Sequence, residues 1–464
     1  MKKIIYFTLM AVVFTSAFSS CKKFLERPPA GQMTEEEALK DEAGFMALLN
    51  GEYTLLANNE FFGGRLQTAA ELLADQVDGS RFTGDFSEIF RRQNSIFGGF
   101  RDGLYNNGYR VINVANLLLS KLNLIKAGEQ DNAKGQALLF RAIGHFEMVR
   151  LFAQPYGYTS DNSHDGIPLR ISVDITSVQR STVAEIYTQI ISDLKEAEQL
   201  LPDTYPSNYK ATKWAAKAFL AKVYFQMNDF TNAYASASEV VGNTTFVLDN
   251  AYNLRYSPAL SKEGIFAIQN VNNFYSPGGE LRGNYRSDLA IPVLNYTNQF
   301  FTLATQDPAD VRKAWYSSTL QTDYKVLTKY NRDFFDLPIV HLTEIKLILA
   351  ESGAEIAAAN PGALAAAITN INQILSRAYG GTARNLGVNA TAGLVISTAR
   401  KERELELVGE GNRYHEIKRI GARNNTSVDR RGSPWNCNGF ILQFPKAEQD
   451  AMTSFRLNPE GGCF

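Results

Sequence analysis

Three carboxylates, Glu402, Glu406 and Glu410, recur at four-residue intervals in the run Glu402-Arg-Glu-Leu-Glu-Leu-Val-Gly-Glu410. On a helix that interval puts them on one face, where like charges repel and call for cations. One chemistry open to such a cluster is acid or base catalysis. The other is a structural ion network, in which Arg403, Arg413 and Arg419 are the nearest partners and bidentate pairing locks the helix to the segment after it. With three arginines so close, the network is the expected arrangement.

Little else in the chain suggests catalysis. His145, His164, His341 and His415 are scattered, and none belongs to an HExxH or a similar ligand pair. There is no G-x-S-x-G elbow, no phosphate-binding loop and no paired-cysteine zinc signature. Gly278-Gly-Glu-Leu-Arg-Gly283 follows Pro277 in a loop, so its glycines are expected to serve turns. No metal ion or cofactor is expected. Two acids distant in sequence can still meet in space, so a glycoside hydrolase stays among the alternatives.

A different chemistry is suggested at Cys21. Lys2 and Lys3, an apolar run from Ile4 to Phe18, and Ser19-Ser20 precede it, the order of a secretory signal. Small residues before a cysteine suit a lipoprotein signal peptidase, which cuts in front of an acylated thiol. Cys21 is therefore expected to become the lipidated first residue after loss of residues 1–20; the plainer alternative is an ordinary signal cut nearby. Cys437 and Cys463 then remain as an even pair in an oxidising compartment, either bridged or as two buried thiols. Without residues 1–20 the chain carries 45 basic against 48 acidic side chains, which offers no electrostatic footprint for nucleic acid.

The elements around these residues read as mainly α. Leu139, Ala142, Phe146, Val149 and Ala153 form one apolar stripe on a helix from about Asn132 to Ala153. Thr182-Val-Ala-Glu185 is a capping box opening a second helix that Pro202 closes. From Trp214 to Val241, the spacing of Leu220, Ala221, Tyr224, Phe230 and Ala233 matches one tetratricopeptide helical hairpin, so a helical-repeat scaffold of three or four hairpins is expected. Between about 250 and 335 Gly, Asn, Tyr, Ser and Pro dominate, as in a loop-rich insertion with short β-like stretches such as Gly264 to Gln269. Helices are expected again at Leu342 to Ala359, Ala363 to Ala378 and about Gly393 to Val408, before an irregular tail from Gly421.

Read together, Glu402-Arg403, Glu406-Leu407, Glu410-Gly411-x-Arg413 and Glu416-Ile-Lys-Arg419 resemble the C-terminal signature of the SusD/RagB family, with Glu416 in place of the usual Asp. Cys21 to Leu25, Arg141-Ala142 to Leu151-Phe152, Val183 to Leu201, Glu344 to Glu351 and Leu457-Asn-Pro459 fall in the family's order, and together they span the mature chain. His341 and Thr343 stand where the family's helix carries Arg and Ala, which implies a weakened internal ion pair. The resemblance implies a mainly α fold of four tetratricopeptide-like hairpins with a binding insertion. As domains it implies a signal at 1–20 and one SusD-like domain at 21–464, with scaffold at about 36–245 and 336–420, insertion at about 250–335 and tail at 421–464. It also implies the role of a non-catalytic, surface-exposed lipoprotein that captures oligosaccharide for a SusC-like TonB-dependent outer-membrane barrel.

A sugar offers apolar C–H faces and a rim of hydroxyls, so flat aromatic rings and amide, carboxylate or guanidinium groups would hold it. Residues of those types gather in two loop regions: Phe61, Phe62, Arg81, Phe82 and Asp85 in the first, Asn273, Phe274, Tyr275, Arg282 and Tyr285 in the second. These ten are the expected ligand contacts. A peptide-binding RagB-like receptor, a secreted glycoside hydrolase and a bare tetratricopeptide adaptor remain the competing functions.

Overall fold

The computed structural model describes residues 39–93, 95–174, 176–204, 207–257, 261–271 and 277–463. Residues 1–20, Cys21, Asn273, Phe274 and Tyr275 lie outside the described residues.

The chain is mainly α. It runs α1 (Glu42–Leu56), α2 (Arg65–Leu73), α3 (Gly84–Phe90), α4 (Gly99–Ser120) and α5 (Ala127–Phe152), then a two-stranded ribbon of β1 (Asp165–Pro168) and β2 (Arg180–Thr182). Next come α6 (Val183–Leu200), α7 (Lys213–Gln226) and α8 (Phe230–Gly242). The loop-rich segment carries β3 (Gly264–Ile268), α9 (Gly279–Tyr285), α10 (Asn298–Thr305), β4 (Tyr316–Ser317) and β5 (Val326–Leu327). Then follow β6 (Leu337–His341), α11 (Leu342–Glu355), α12 (Pro361–Ala378), α13 (Ala392–Glu406), α14 (Asn412–Asn424) and α15 (Lys446–Ala451).

Neighbours in sequence are neighbours in space through most of this order. Helix α4 packs on α5, α5 on α6, α6 on α7 and α7 on α8; the stack then resumes across the insertion, with α8 on α11 and α11 on both α12 and α13. The sequence signals explain why. The Thr182 hydroxyl accepts from the Glu185 N–H at 3.2 Å, and the Glu185 carboxylate accepts from the Thr182 N–H at 2.8 Å. Such a cap contributes about 1 kcal/mol to starting a helix. The face it starts, Val183, Ile186, Ile190, Leu194 and Ala197, is buried. At the α7–α8 corner Asn228 takes a left-handed conformation (φ 58°) and Asp229 caps α8 by accepting from the Asn232 N–H at 3.1 Å. Ala221, Tyr224 and Phe230 are buried in that hairpin, as their spacing predicts.

Some boundaries shift. Helix α5 begins at Ala127, because its first turns are polar and carry no apolar period. Helix α13 ends at Glu406, so Glu410 sits in the turn beyond it rather than on its face. Helix α14 runs past Gly421 to Asn424. The tail beyond is irregular yet tightly held: the buried Arg92 guanidinium pairs with Asp429 at 2.7 Å, donates to the Leu73 carbonyl and stacks 3.9 Å from the Phe440 ring centre. Cys437 and Cys463 are joined by a disulfide, the first of the two arrangements open to them.

Candidate functional site

The insertion has few backbone ladders of its own, and the carboxylates singled out by spacing are what fasten it. Glu402 meets Arg312 at 2.7 Å. Glu406 meets Arg377 at 3.0 Å, Arg312 at 3.2 Å and Arg255 at 3.3 Å, and accepts from the Tyr252 hydroxyl at 2.5 Å. Glu410 meets Lys329 at 2.6 Å and His341 at 3.0 Å. Burial pushes the Glu410 carboxyl up, but Lys329, His341 and Arg255 outweigh it and hold the group well below the usual carboxylate range. Glu263 follows the same pattern: burial opposes its ionisation, and Arg255 and Arg377 bring it down to about 2.

The expected network exists, with different partners. Arg403 faces Glu416 at 3.7 Å, Arg413 holds Asp75 at 2.7 Å, and Arg419 holds Glu351 at 2.8 Å. Arg255, Arg312 and Lys329 come instead from the insertion, so each ion pair ties a loop to α13 or the turn after it. His341 and Thr343 both take part in this system. His341 reaches Glu410, and the Thr343 hydroxyl donates to Glu263 at 2.5 Å while accepting from Arg377 at 2.8 Å.

Glu71 on α2 is buried beside this network and titrates the opposite way. Its carboxylate accepts from the Gly411 N–H at 3.1 Å, a contact that needs glycine because Gly411 has φ 76° and a Cβ there would stand 3.0 Å from the Gln67 Cα. Burial nevertheless pushes the Glu71 carboxyl up to about 7, against the pull of that N–H and of Lys329. An acid with a raised folded-state pKa favours the fold below its unfolded value, near 4.5, and withdraws that support as pH rises through about 7. Glu71→Gln, which mimics the protonated acid, should therefore gain on the native protein as pH rises. The stability difference should grow by on the order of 3 kcal/mol between about pH 4.5 and about pH 8. Thermal melts at the two pH values measure it; a constant difference would mean that Glu71 stays ionised.

With the insertion clamped, its edge meets the first loop region. The Asp78 N–H donates to the Asn295 carbonyl at 2.8 Å, the Thr297 N–H donates to the Gln76 carbonyl at 2.9 Å, and Val77 bridges Tyr296. This seam sets the loop leading into α3 against residues 289–294. Exposed Arg81 donates to the Pro292 carbonyl at 3.1 Å and lies over the Tyr324 ring, 4.8 Å from its centre. With Phe82, Thr83, Phe86 and Val293 it lines an open hollow of about 220 Å³. Asp85 accepts from the Phe100 N–H at 2.8 Å and abuts Gly98, which has φ 153°. The turn held there presents Phe97 with 68% of its surface exposed. Val293, which lines the Arg81 hollow, is 40% exposed, and Leu289 earlier in the same segment is 72% exposed. The Arg81 hollow is a shelf with rings and a guanidinium, able to stack against a C–H face and bond to the hydroxyls around it; Asp85 and Phe97 line a separate hollow with Gly98 and Arg101.

The expected contacts divide. Arg81 and Phe82 come together at the shelf, although the Phe82 ring is mostly buried, edge-on to Phe90 at 5.3 Å, and Asp85 lines the separate hollow beside Phe97. Phe61, Phe62 and Tyr285 are core residues, which corrects the expectation that their rings are accessible. Phe61 lies edge-on to Phe62 at 5.2 Å, and Tyr285 lies 5.3 Å from Tyr330. Helix α9 is pinned to the Gly63 carbonyl through the Leu281 N–H at 3.2 Å, which turns Leu281 and Tyr285, four residues apart, inward together. That spacing was the signal for burial. Arg282, half-buried on the same helix, donates to the Pro277 carbonyl at 2.8 Å and lies over Phe335. Val293 and Tyr324, which meet Arg81 at the shelf, and the exposed Phe97 were not among the expected contacts. Phe97 stands before the turn-forming pair Gly98-Gly99, which marked it, whereas Leu289 to Val293 reads as core because of its apolar residues. Among the described residues no group of three or more His, Cys, Asp or Glu is placed to hold a metal ion.

Comparisons with known proteins cover both halves of the chain. Residues 31–225 match a SusD-like family described as starch-binding and associating with the outer membrane, and residues 265–459 match the SusD family. SusD-like protein P2 of Formosa agariphila is 25% identical, over 85% of this chain and 87% of its own length. The crystal structure of a SusD superfamily protein from Bacteroides thetaiotaomicron is 23% identical with a TM-score of 0.78, covering 90% of this chain and 100% of that one. A SusD-like carbohydrate binding protein from Bacteroides vulgatus is 20% identical with a TM-score of 0.69, over 82% and 83% of the two chains. At these identities the two structures bear on the fold.

Proposed function

We propose that this chain, which belongs to the SusD/RagB family, holds oligosaccharide at the outer membrane without altering it and hands it to a SusC-like TonB-dependent barrel. The family description, starch-binding and outer-membrane associated, supports the carbohydrate and membrane parts of this reading. The predicted lipid on Cys21 supplies the tether. The observation that carries the binding role is the shelf: a solvent-open platform whose rings and guanidinium are held by backbone bonds and by the clamped insertion. A rigid platform loses little entropy on binding, while its open shape limits the area it can cover, so affinity for each sugar is modest.

Arg81→Ala combined with Phe86→Ala should lower oligosaccharide affinity about tenfold or more, the loss expected from one hydrogen bond and one stacked ring. Calorimetry on the chain lacking residues 1–21, with circular dichroism to confirm the helices, measures this against a glycan panel. Unchanged glycan affinity in the double variant would remove the shelf from the site. Capture of peptides in preference to glycans would favour the RagB-like receptor, and release of reducing ends from a polysaccharide would favour a hydrolase.

A further inference from the structure

A second cleft, of about 380 Å³, lies at the N-terminus of α7 and shares none of the residues lining the shelf. That volume is within the usual range for small-molecule sites. Its floor is apolar, formed by Ile265 and Ala267 of β3, and the half-buried rings of Trp214 and Phe246 stand at its sides. Thr212, the residue before α7, lines it and is only 7% exposed, yet its hydroxyl caps no helix N–H and has no hydrogen-bond partner among the described residues. A buried hydroxyl is costly to leave unpaired. The nearby carboxylates are already engaged: Asp203 pairs with Lys213, and Asp336 accepts from the Tyr209 hydroxyl at 2.6 Å and from the Asn270 N–H at 2.9 Å. The exposed Lys262 and the Asn243 amide stand at the cleft's edge and offer further donors. Flat rings, an unpaired hydroxyl and donors at the edge match a ligand with an apolar face and a border of hydroxyls.

We propose that this cleft is a second saccharide site, taking one or two sugar rings against Trp214 and Phe246 with a ligand hydroxyl bonded to Thr212. The ligand class rests on the carbohydrate reading above; the site itself rests on the cleft and the unpartnered hydroxyl. Tryptophan fluorescence of the chain lacking residues 1–21 tests it, titrated in separate arms with maltose, glucuronate and trialanine. One of the two sugars should change the emission, Trp214→Phe should abolish that change, Thr212→Val should weaken binding about tenfold and Thr212→Ser should restore it. Arg81→Ala, which cuts binding at the shelf, should leave this titration in place, so failure of the shelf and failure of the cleft are separable. The proposal is overturned by the absence of any response to either sugar, by equal binding in a folded Thr212→Val variant, by loss of the response in Arg81→Ala, or by trialanine binding more tightly than both sugars.

Discussion

Glu406→Ala should destabilise the protein by about 4 kcal/mol, the cost of leaving buried charges without their counterpart. Glu406 is fully buried, and Arg255, Arg312 and Arg377 converge on it. Burying those guanidinium groups is tolerable because a carboxylate answers them; alanine removes the charge and opens a hole among cations that then repel one another. Glu406→Gln keeps the shape and an acceptor but not the charge, and should fall between the two. Urea unfolding followed by far-ultraviolet circular dichroism gives the number, and a loss below about 1 kcal/mol would show that water or a shifted side chain takes over the role of the carboxylate. The same variant should also weaken glycan binding, because Arg255 and Arg312 join the insertion to α13 and the insertion forms one lip of the shelf.

Cys21→Ala should move the full-length chain from the membrane fraction to the soluble fraction. Each buried acyl CH₂ contributes about 0.8 kcal/mol, so a single chain binds membranes marginally while two or more hold firmly. If Cys21 carries the predicted acyl chains, its loss removes all of them together. Among the described residues no helix is long and apolar enough to cross a membrane. Fractionation of cells expressing the native and variant chains at equal levels decides the point; a variant still sedimenting with membranes would mean that another feature tethers it.

How far the sequence could be read depends on how local each cause is. The capping box at Thr182 and Glu185, the stripe on α5 and the α7–α8 hairpin were legible because caps and helical faces are set by residues three or four positions apart. The SusD/RagB signature was legible for the same reason, as a string of residues along one segment. Arg81 and Phe82, chosen by residue type and loop context, line the proposed shelf, whereas Phe61, Phe62 and Tyr285, chosen on the same grounds, are core.

The sequence by itself therefore determined the mainly α class, the capped start of α6, the α7–α8 hairpin, the family and the need for cations opposite Glu402, Glu406 and Glu410. Only the tertiary structure decided which cations those are and which rings meet solvent. Arg312 and Arg255 reach Glu406 from 94 and 151 residues away in the chain, while Arg403, Arg413 and Arg419, close by in sequence, serve other acids. The physical reason is that an ion pair or a covered ring face depends on separation in space, and across an insertion of this length separation along the chain no longer predicts it.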